Sequence, residues 1–381
     1  MRILFFNYEY PPLGGGAGNA TFYLLKELAK EKDLTIDLLT SSSGEYREEK
    51  VSPNIKIYFL NINKRGNPHD QSLGDLVRYS RKAWRAAKKL MARHKYDLVH
   101  AFFGVPCGYL AMKTGLPYIV SLRGSDVPFY SRKYKLLDQL IFKKLSRDYI
   151  WRRAAAVVAN SEGLRRLALQ SSPAQKIFVI PNGVDTTKFF PDSQKRNSGF
   201  TIIYNSRFIE RKGIRYLIEA FIQLAKEHKN IRLLTMSTGS LEAEMKERIR
   251  RAGLASRVEF HGFIDPKTDR IAANYRRGHV FVLPSLNEGM SNSLLEAMAS
   301  GLAIVTTNTG GTQELMDSGN GIIVRPHSSG ELQLALRKLK SDPRLLFAFG
   351  KKSREKALNF EWGSVARKYF LMYTSLAKRN P

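Results

Sequence analysis

A single cysteine, Cys107, stands in a chain of 381 residues. One thiol leaves no partner for an intrachain disulfide and rules out a cysteine-based zinc site, and it suits a reducing compartment, so the cytosol is the expected location. Long apolar runs are missing as well. No stretch reaches the roughly 18 to 20 apolar residues that cross a bilayer, so no membrane span is expected, although the chain can still lie on a membrane. The opening MRILFFNYEYPP has an apolar run that stops at Asn7, too short for a signal-peptide core, and reads as a first strand. Acidic residues are scarce too: 34 Asp and Glu stand against 62 Lys and Arg, a formal net charge of +28.

The surplus of positive charge is unevenly placed. Between Arg78 and Arg153 there are 18 Lys and Arg, 4 Asp and no Glu. Two segments dominate, RYSRKAWRAAKKLMARHK (78–95) and YKLLDQLIFKKLSRDYIWRR (134–153). In the second, Leu136, Leu137, Leu140, Ile141, Leu145, Tyr149 and Ile150 recur at helical spacing with cations filling much of the remaining surface, the pattern of a basic amphipathic helix. Such a helix either packs its apolar face on the protein and leaves the basic face solvated, or meets an anionic membrane surface, where each cation contributes about 1 kcal/mol. Nucleic acid is the weakest reading, because no zinc-finger, RNA-recognition or related signature accompanies the charge.

What the chain does have is repeated alternation. RILFFNY, TIDLLTS, YDLVHAF, PYIVSLRG and AAVVANS are short apolar runs interleaved with helical patterns, the first of these helices at about 19–30. Strands this hydrophobic point to a parallel sheet covered on both faces. The pattern breaks at PNGVDTTKFFPDSQKRNSG, then restarts with FTIIYNSRF, a helix over about 214–227, IRLLTMS, RVEFHGF, HVFVLPS, AIVTTNT and GIIVRP. The fold class is therefore α/β, with two doubly wound Rossmann-like domains at 1–183 and 200–359, a linker at 184–199, and a closing helix within 360–381. Ligands in such sheets sit beyond the carboxyl ends of strands, here expected in a cleft between the domains, so functional residues should directly follow strands.

Three strand-following segments carry chemistry. PPLGGGAGNA brings Gly15 and Gly16 to a helix start, where backbone N–H groups suit a phosphate; a merely tight turn is the alternative, and neither the P-loop lysine nor the dinucleotide fingerprint is present. SRFIERKG puts Arg207 and Lys212 around a short loop, able to neutralise a diphosphate or simply to be solvated. LPSLNEGMSNSLLEAMASG places Glu288 in a loop and Glu296 in the first turn of a helix starting near Ser293, with Gly289, Met290, Ser291 and Asn292 offering backbone N–H groups between them. Carboxylates suit sugar hydroxyls because each accepts two hydrogen bonds. Glu296 also fits a capping box with Ser293, which would make it purely structural. His100 follows YDLVHAF and is either a group facing the cleft or a packed histidine.

Taken together, the Gly-rich loop, PNGVDTTKF, SRFIERKG, and NEGMSNSLLEAMASG followed by GGTQEL resemble glycosyltransferase family 4, over almost the whole chain. The resemblance implies a GT-B fold, a closing helix that returns to the first domain, and retaining, metal-independent transfer from a nucleotide-sugar, a UDP-sugar being preferred over a GDP-sugar, with no cofactor. It implies that Glu288 faces the donor sugar, that Glu296 binds the ribose, that Arg207 and Lys212 hold the diphosphate, and that Gly15 and Gly16 approach the phosphates. Gly124, Ser125 and Asp126 match the family pattern, which makes Asp126 a candidate for the catalytic set. Arg123 does not match, since relatives carry histidine there; an arginine stays protonated and suits a phosphate or an acidic acceptor. The expected acceptor is a glycan or a lipid-linked glycan of the cell envelope, such as a lipopolysaccharide precursor, reached by peripheral attachment to the inner face of the cytoplasmic membrane. A nucleotide-sugar epimerase of the same fold and a basic nucleic-acid-binding protein are the alternatives.

Overall fold

The computed structural model describes residues 1–64, 66, 71–128, 130, 144–265 and 268–378, with 146–148 described by backbone only. The chain forms two compact units, one of residues 1–182 and 362–381, the other of residues 183–361.

The first unit is built on an eight-stranded sheet. Its elements are β1 (Arg2–Phe6), α1 (Gly16–Leu28), β2 (Thr35–Ser42), β3 (Arg47–Ser52), β4 (Ile55–Asn61), α2 (Leu73–Arg93), β5 (Leu98–Phe102), α3 (Tyr109–Lys113), β6 (Tyr118–Leu122), β7 (Ala156–Ala159), α4 (Glu162–Ser171) and β8 (Ile177–Val179). The strand order is β3-β4-β2-β1-β5-β6-β7-β8, parallel except for β3, which runs antiparallel to β4. The chain reverses its direction of travel across the sheet between β1 and β5, where Ile3 pairs with both Ile36 and Leu98. β3 is the strand without an apolar pattern: REEKVS is almost wholly exposed. A charged edge of this kind blocks pairing with other chains.

The second unit has a six-stranded, all-parallel sheet in the order β11-β10-β9-β12-β13-β14. Its strands are β9 (Phe200–Tyr204), β10 (Ile231–Thr235), β11 (Val258–Phe260), β12 (Val280–Leu283), β13 (Ala303–Thr307) and β14 (Gly321–Val324). Its helices are α5 (Ile214–Glu227), α6 (Glu242–Arg251), α7 (Arg270–Arg276), α8 (Asn292–Ala299), α9 (Thr312–Leu315), α10 (Ser329–Ser341) and α11 (Pro343–Ala357). Two apolar cores serve it, one containing Ile202, Leu233 and Val282, the other Ile203, Leu234 and Phe281. Alternate residues of one strand thus fill opposite cores, as period-2 geometry requires.

One boundary differs from the sequence expectation. Residues 184–199 are not a free connector: Val184 and Phe189 are buried in a core of the second unit, and Arg354 donates to the carbonyls of Thr186 and Phe189. The closing helix α12 (Trp362–Ala377) belongs to the first unit, where it buries Trp362, Val365, Ala366, Tyr369 and Tyr373. Its Trp362 ring stacks on Tyr23 at 5.9 Å. Burying each of the larger of these side chains contributes roughly 1.5 to 3 kcal/mol. Most of the expected basic helix at 134–153 lies outside the described residues; from residue 145 the chain forms a π-type turn, Leu145–Trp151, in which Ile150 and Trp151 are fully buried. Among the described residues no helix is long and apolar enough to cross a membrane.

Candidate functional site

Two sets of polar residues gather at the carboxyl ends of strands, one in each unit. In the second unit the loops after β9, β12 and β13 interlock. Gly213 has φ +67, and a Cβ there would lie 1.9 Å from the carbonyl oxygen of Pro284. Gly310 has φ +50, and a Cβ there would lie 1.6 Å from the carbonyl oxygen of Glu288. Both positions therefore need glycine for conformation and for space. The Leu286 N–H donates to the Arg211 carbonyl at 2.8 Å, Arg211 donates to the Asn287 carbonyl at 3.1 Å, and the Gly311 N–H donates to the Gly289 carbonyl at 2.6 Å.

This scaffold holds Glu288 only 7% exposed. Lys212 Nζ and Ser285 Oγ both donate to Glu288 Oε1, the serine at 2.8 Å. Burial alone would raise the Glu288 pKa, but the charges of Lys212 and Arg211 and these hydrogen bonds bring it below the usual glutamate value. Burial also acts on Lys212, pushing its pKa down to about 8 against the opposing pull of Glu288. Arg207, partly exposed in the same loop, adds to that depression and so lies within electrostatic reach of Lys212.

Glu296 does not cap a helix. The N-cap of α8 is Ser291, whose Oγ accepts from the Leu294 N–H at 3.3 Å, two residues earlier than the expected cap at Ser293. That register puts Glu296 beyond the capping position, and the capping-box reading fails. Its Oε2 instead accepts from the Tyr275 hydroxyl at 3.0 Å and from Asn205 Nδ2 at 3.5 Å, while Tyr275 accepts from Asn205 at 2.9 Å. Burial raises the Glu296 pKa to about 7, with the Tyr275 hydrogen bond and the charge of Lys188 opposing. Between the glutamates, Ser291 is used as a cap, the Met290 side chain is buried, and neither Met290 nor Asn292 is without a partner.

The first unit carries the other set. α1 starts at Gly16 with Gly15 as its N-cap, and the Gly15 N–H donates to Glu9 Oε2 at 2.9 Å. An internal carboxylate thus holds the Gly15 amide expected to meet a phosphate, and Gly16 is not without a partner either. Asp126 is likewise occupied: Oδ2 accepts from the Gly104 N–H at 2.8 Å, and Oδ1 from the N–H groups of Arg123 and Gly124 at 2.9 and 3.0 Å. It ties the loop after β5 to the loop after β6, with its pKa raised by burial against those backbone bonds. His100 lies inside β5 rather than after it and is fully buried, with Nδ1 2.7 Å from the Tyr373 hydroxyl and Nε2 2.7 Å from Ser121 Oγ. Burial, aided by the charge of Arg123, takes its pKa well below the usual histidine value. Of its two sequence readings, the geometry is that of a packed histidine.

In the second unit the structure brings together Arg207, Lys212, Glu288 and, through Asn205, Glu296. In the first it brings together Arg123, Asp126 and His100, with Gly15 and Gly16 on the loop after β1. Asn205, Ser285 and Tyr275 were absent from the sequence reading. Asn205 and Ser285 stand just past the ends of β9 and β12, where the strand-end rule could have found them, whereas Tyr275 in α7 gave no signal. Among the described residues no three His, Cys, Asp or Glu side chains are placed to hold a metal ion.

Two family models match this chain, Glycosyltransferase Family 4 over residues 14–188 and Glycosyl transferases group 1 over residues 199–342. One component of the human phosphatidylinositol N-acetylglucosaminyltransferase is 31% identical over 343 residues, covering 88% of this chain and 68% of that protein. Among solved structures, sucrose-phosphate synthase of Thermosynechococcus elongatus superposes with a TM-score of 0.84 at 22% identity, over 100% of both chains. Anabaena HepE, solved with UDP-glucose, superposes with a TM-score of 0.74 at 19% identity, over 98% of this chain and 100% of its own.

Proposed function

We propose, for a chain that belongs to glycosyltransferase family 4 and has the GT-B fold, that it is a retaining transferase using a nucleoside-diphosphate sugar, bound through the second unit. One observation carries the reading: at the strand ends of one sheet lie two buried carboxylates with different partners, Glu288 beside Lys212 and within the reach of Arg211, and Glu296 with Tyr275 and Asn205. Lys212 and Arg207 suit the diphosphate. Their charge stabilises the leaving group as the bond between the anomeric carbon and the phosphate oxygen breaks and its electron pair moves to that oxygen. Glu288, held by Ser285 and Lys212, faces the sugar. Glu296, whose partners Tyr275 and Asn205 leave carboxylate lone pairs over, accepts from the ribose hydroxyls. The acceptor oxygen enters on the face the diphosphate leaves, giving its proton to the departing phosphate oxygen, so the anomeric configuration is kept. Neither a resident metal nor a cofactor enters this scheme.

Gly15, Gly16 and Asp126 act in this reading by shaping loops, and His100 leaves the catalytic set because both its ring nitrogens are satisfied. HepE was solved with UDP-glucose, which supports uridine as the first base to test. Incubation with UDP- and GDP-sugars, release of the nucleotide and the anomeric signal of the product by NMR test the reading. Release of UDP with a product of inverted configuration would overturn the retaining mechanism, and absence of nucleotide binding would overturn the whole.

A second part concerns location and acceptor. Arg81, Lys82, Arg85, Lys88, Lys89 and Arg93 are exposed along α2, and among the described residues none has an ion-pair partner. Unpaired cations on one helix favour attachment to an anionic membrane surface on the cytoplasmic side, and with it a lipid-linked, envelope-type acceptor. Sedimentation with vesicles of phosphatidylcholine alone and of phosphatidylcholine with phosphatidylglycerol tests this: binding that needs the anionic lipid supports it, and indifference to lipid charge at physiological salt removes it.

A further inference from the structure

The first unit holds a cation that its own carboxylates do not use. Arg123 directly follows β6 and is only partly exposed. Its guanidinium carbon lies 4.7 Å from the centre of the Phe102 ring, and Phe102 stacks in turn on His100 at 4.4 Å. Nη1 donates to Asn182 Oδ1 at 2.8 Å. Among the described residues no carboxylate accepts from the guanidinium, and Nε is buried with no partner at all. Asp126, in the same loop, takes the Arg123 backbone N–H and not its side chain. A buried N–H left unpaired is costly, and a ligand can relieve that cost.

A second orphan lies beside the first. β6 and β7 pair in register with Leu122 opposite Ala159, so Arg123 and Asn160 are the next residues on neighbouring strands. Asn160 is 5% exposed, and among the described residues its buried Oδ1 has no donor. The Ile180 N–H donates to the Ala159 carbonyl at 3.0 Å, which brings the segment carrying Asn182 to the same sheet end. One sheet end therefore offers an unpaired N–H on a fixed planar cation and an unpaired amide oxygen. Arginine presents this fork to phosphate and carboxylate oxygens in two-pronged fashion, and the ring beneath it restricts the plane. The buried histidine below does not compete, because burial keeps it neutral.

We infer that Arg123, Asn160 and Asn182 form a receptor for an acceptor that bears both an anionic group and hydroxyls: Arg123, positioned by Phe102 and Asn182, takes the phosphate or carboxylate, and Asn160 accepts from a hydroxyl. The inference rests on the transferase reading for the word acceptor, but not for the chemistry. It makes Arg123 a specificity-determining residue that selects acidic over neutral acceptors.

The test is binding by the full chain of glucose 6-phosphate, glucuronic acid, inorganic phosphate and glucose, with UDP titrated in parallel. Wild-type protein is expected to bind the two anionic sugars at least about ten-fold more tightly than glucose, and Arg123→Gln to lose that preference while its UDP affinity changes less than about two-fold. A phosphate ester favoured over the carboxylate assigns the ligand to a phosphorylated acceptor, and the reverse to a uronic acid; both support the receptor. Asn160→Ala should weaken glucose 6-phosphate by about three-fold or more and leave inorganic phosphate unchanged. Should Arg123→Gln not fold, Arg123→Lys keeps the charge without the fork and should still lose part of the anion preference. No anion preference in the wild type, or a fall in UDP affinity with the anionic sugars unaffected, overturns the inference. A wild type that ignores UDP but discriminates anionic sugars would instead defeat the donor reading and leave the receptor standing.

Discussion

The two units differ in what they do with charge. Residues 1–182 and 362–381 hold 34 basic and 15 acidic residues, a net of +19, whereas residues 183–361 hold 28 and 19, a net of +9. In the second unit many exposed cations are matched locally: Arg215 with Glu210 and Glu244, Arg250 and Arg251 with Glu247, Arg337 with Glu227, Arg325 with Glu331. Its remaining carboxylates of interest, Glu288 and Glu296, are buried beside specific donors. On α2 of the first unit Arg78 pairs with Asp75, but among the described residues Arg81, Lys82, Arg85, Lys88, Lys89 and Arg93 have no such partners. Exposed pairs contribute only about 0 to 1 kcal/mol each, so the matched surface says little about stability. The unmatched one is free to act on an outside anion, through a field that salt screens over about 10 Å.

The comparison can be broken at several points. The largest effect is expected at the buried pair: Lys212→Ala should lower turnover about 10³-fold, through loss of leaving-group stabilisation, and Glu288→Gln by about 10²-fold, both with donor affinity changing less than turnover. Steady-state kinetics checks this. A purely structural pair would instead lower Tm and leave kcat of the folded fraction unchanged. Next comes the unpaired face: replacing Arg85, Lys88 and Lys89 by Gln should weaken binding to anionic vesicles about 10²-fold, at about 1 kcal/mol per cation. Smaller is Asp126→Asn, which leaves a backbone N–H poorly matched and should cost about 1 to 3 kcal/mol of stability, read by denaturant unfolding. Glu247→Ala, which removes only exposed pairs, should leave the denaturant midpoint essentially unchanged.

Much of this was visible before the structure. The apolar runs that became β1, β2, β5, β6 and β7, and all six strands of the second unit, were legible because parallel strands buried on both faces stand out as short hydrophobic stretches. The pair β3 and β4 was missed, since REEKVS has the composition of a solvated loop and is held only by its neighbour IKIYFLN. The candidate site was legible where it followed strands. It was left open where the answer depended on register: a shift of the helix start from Ser293 to Ser291 decides whether Glu296 is a cap or a buried acceptor. Partners that lie far apart in sequence, such as Tyr373 on His100 and Tyr275 on Glu296, had no local signature.

The donor site itself is tested most directly by titrating UDP against the wild type and Glu296→Gln from about pH 6 to about pH 9. Ribose hydroxyls need the ionised carboxylate, so with the empty-site pKa of Glu296 near 7, affinity should fall as pH drops through that value. The diphosphate needs protonated Lys212, so affinity should also fall as pH rises past about 8. The expected result is a maximum between the two in the wild type, with weaker binding in Glu296→Gln that keeps only the alkaline fall. UDP binding of equal strength in both proteins, with the same pH profile, would contradict the account.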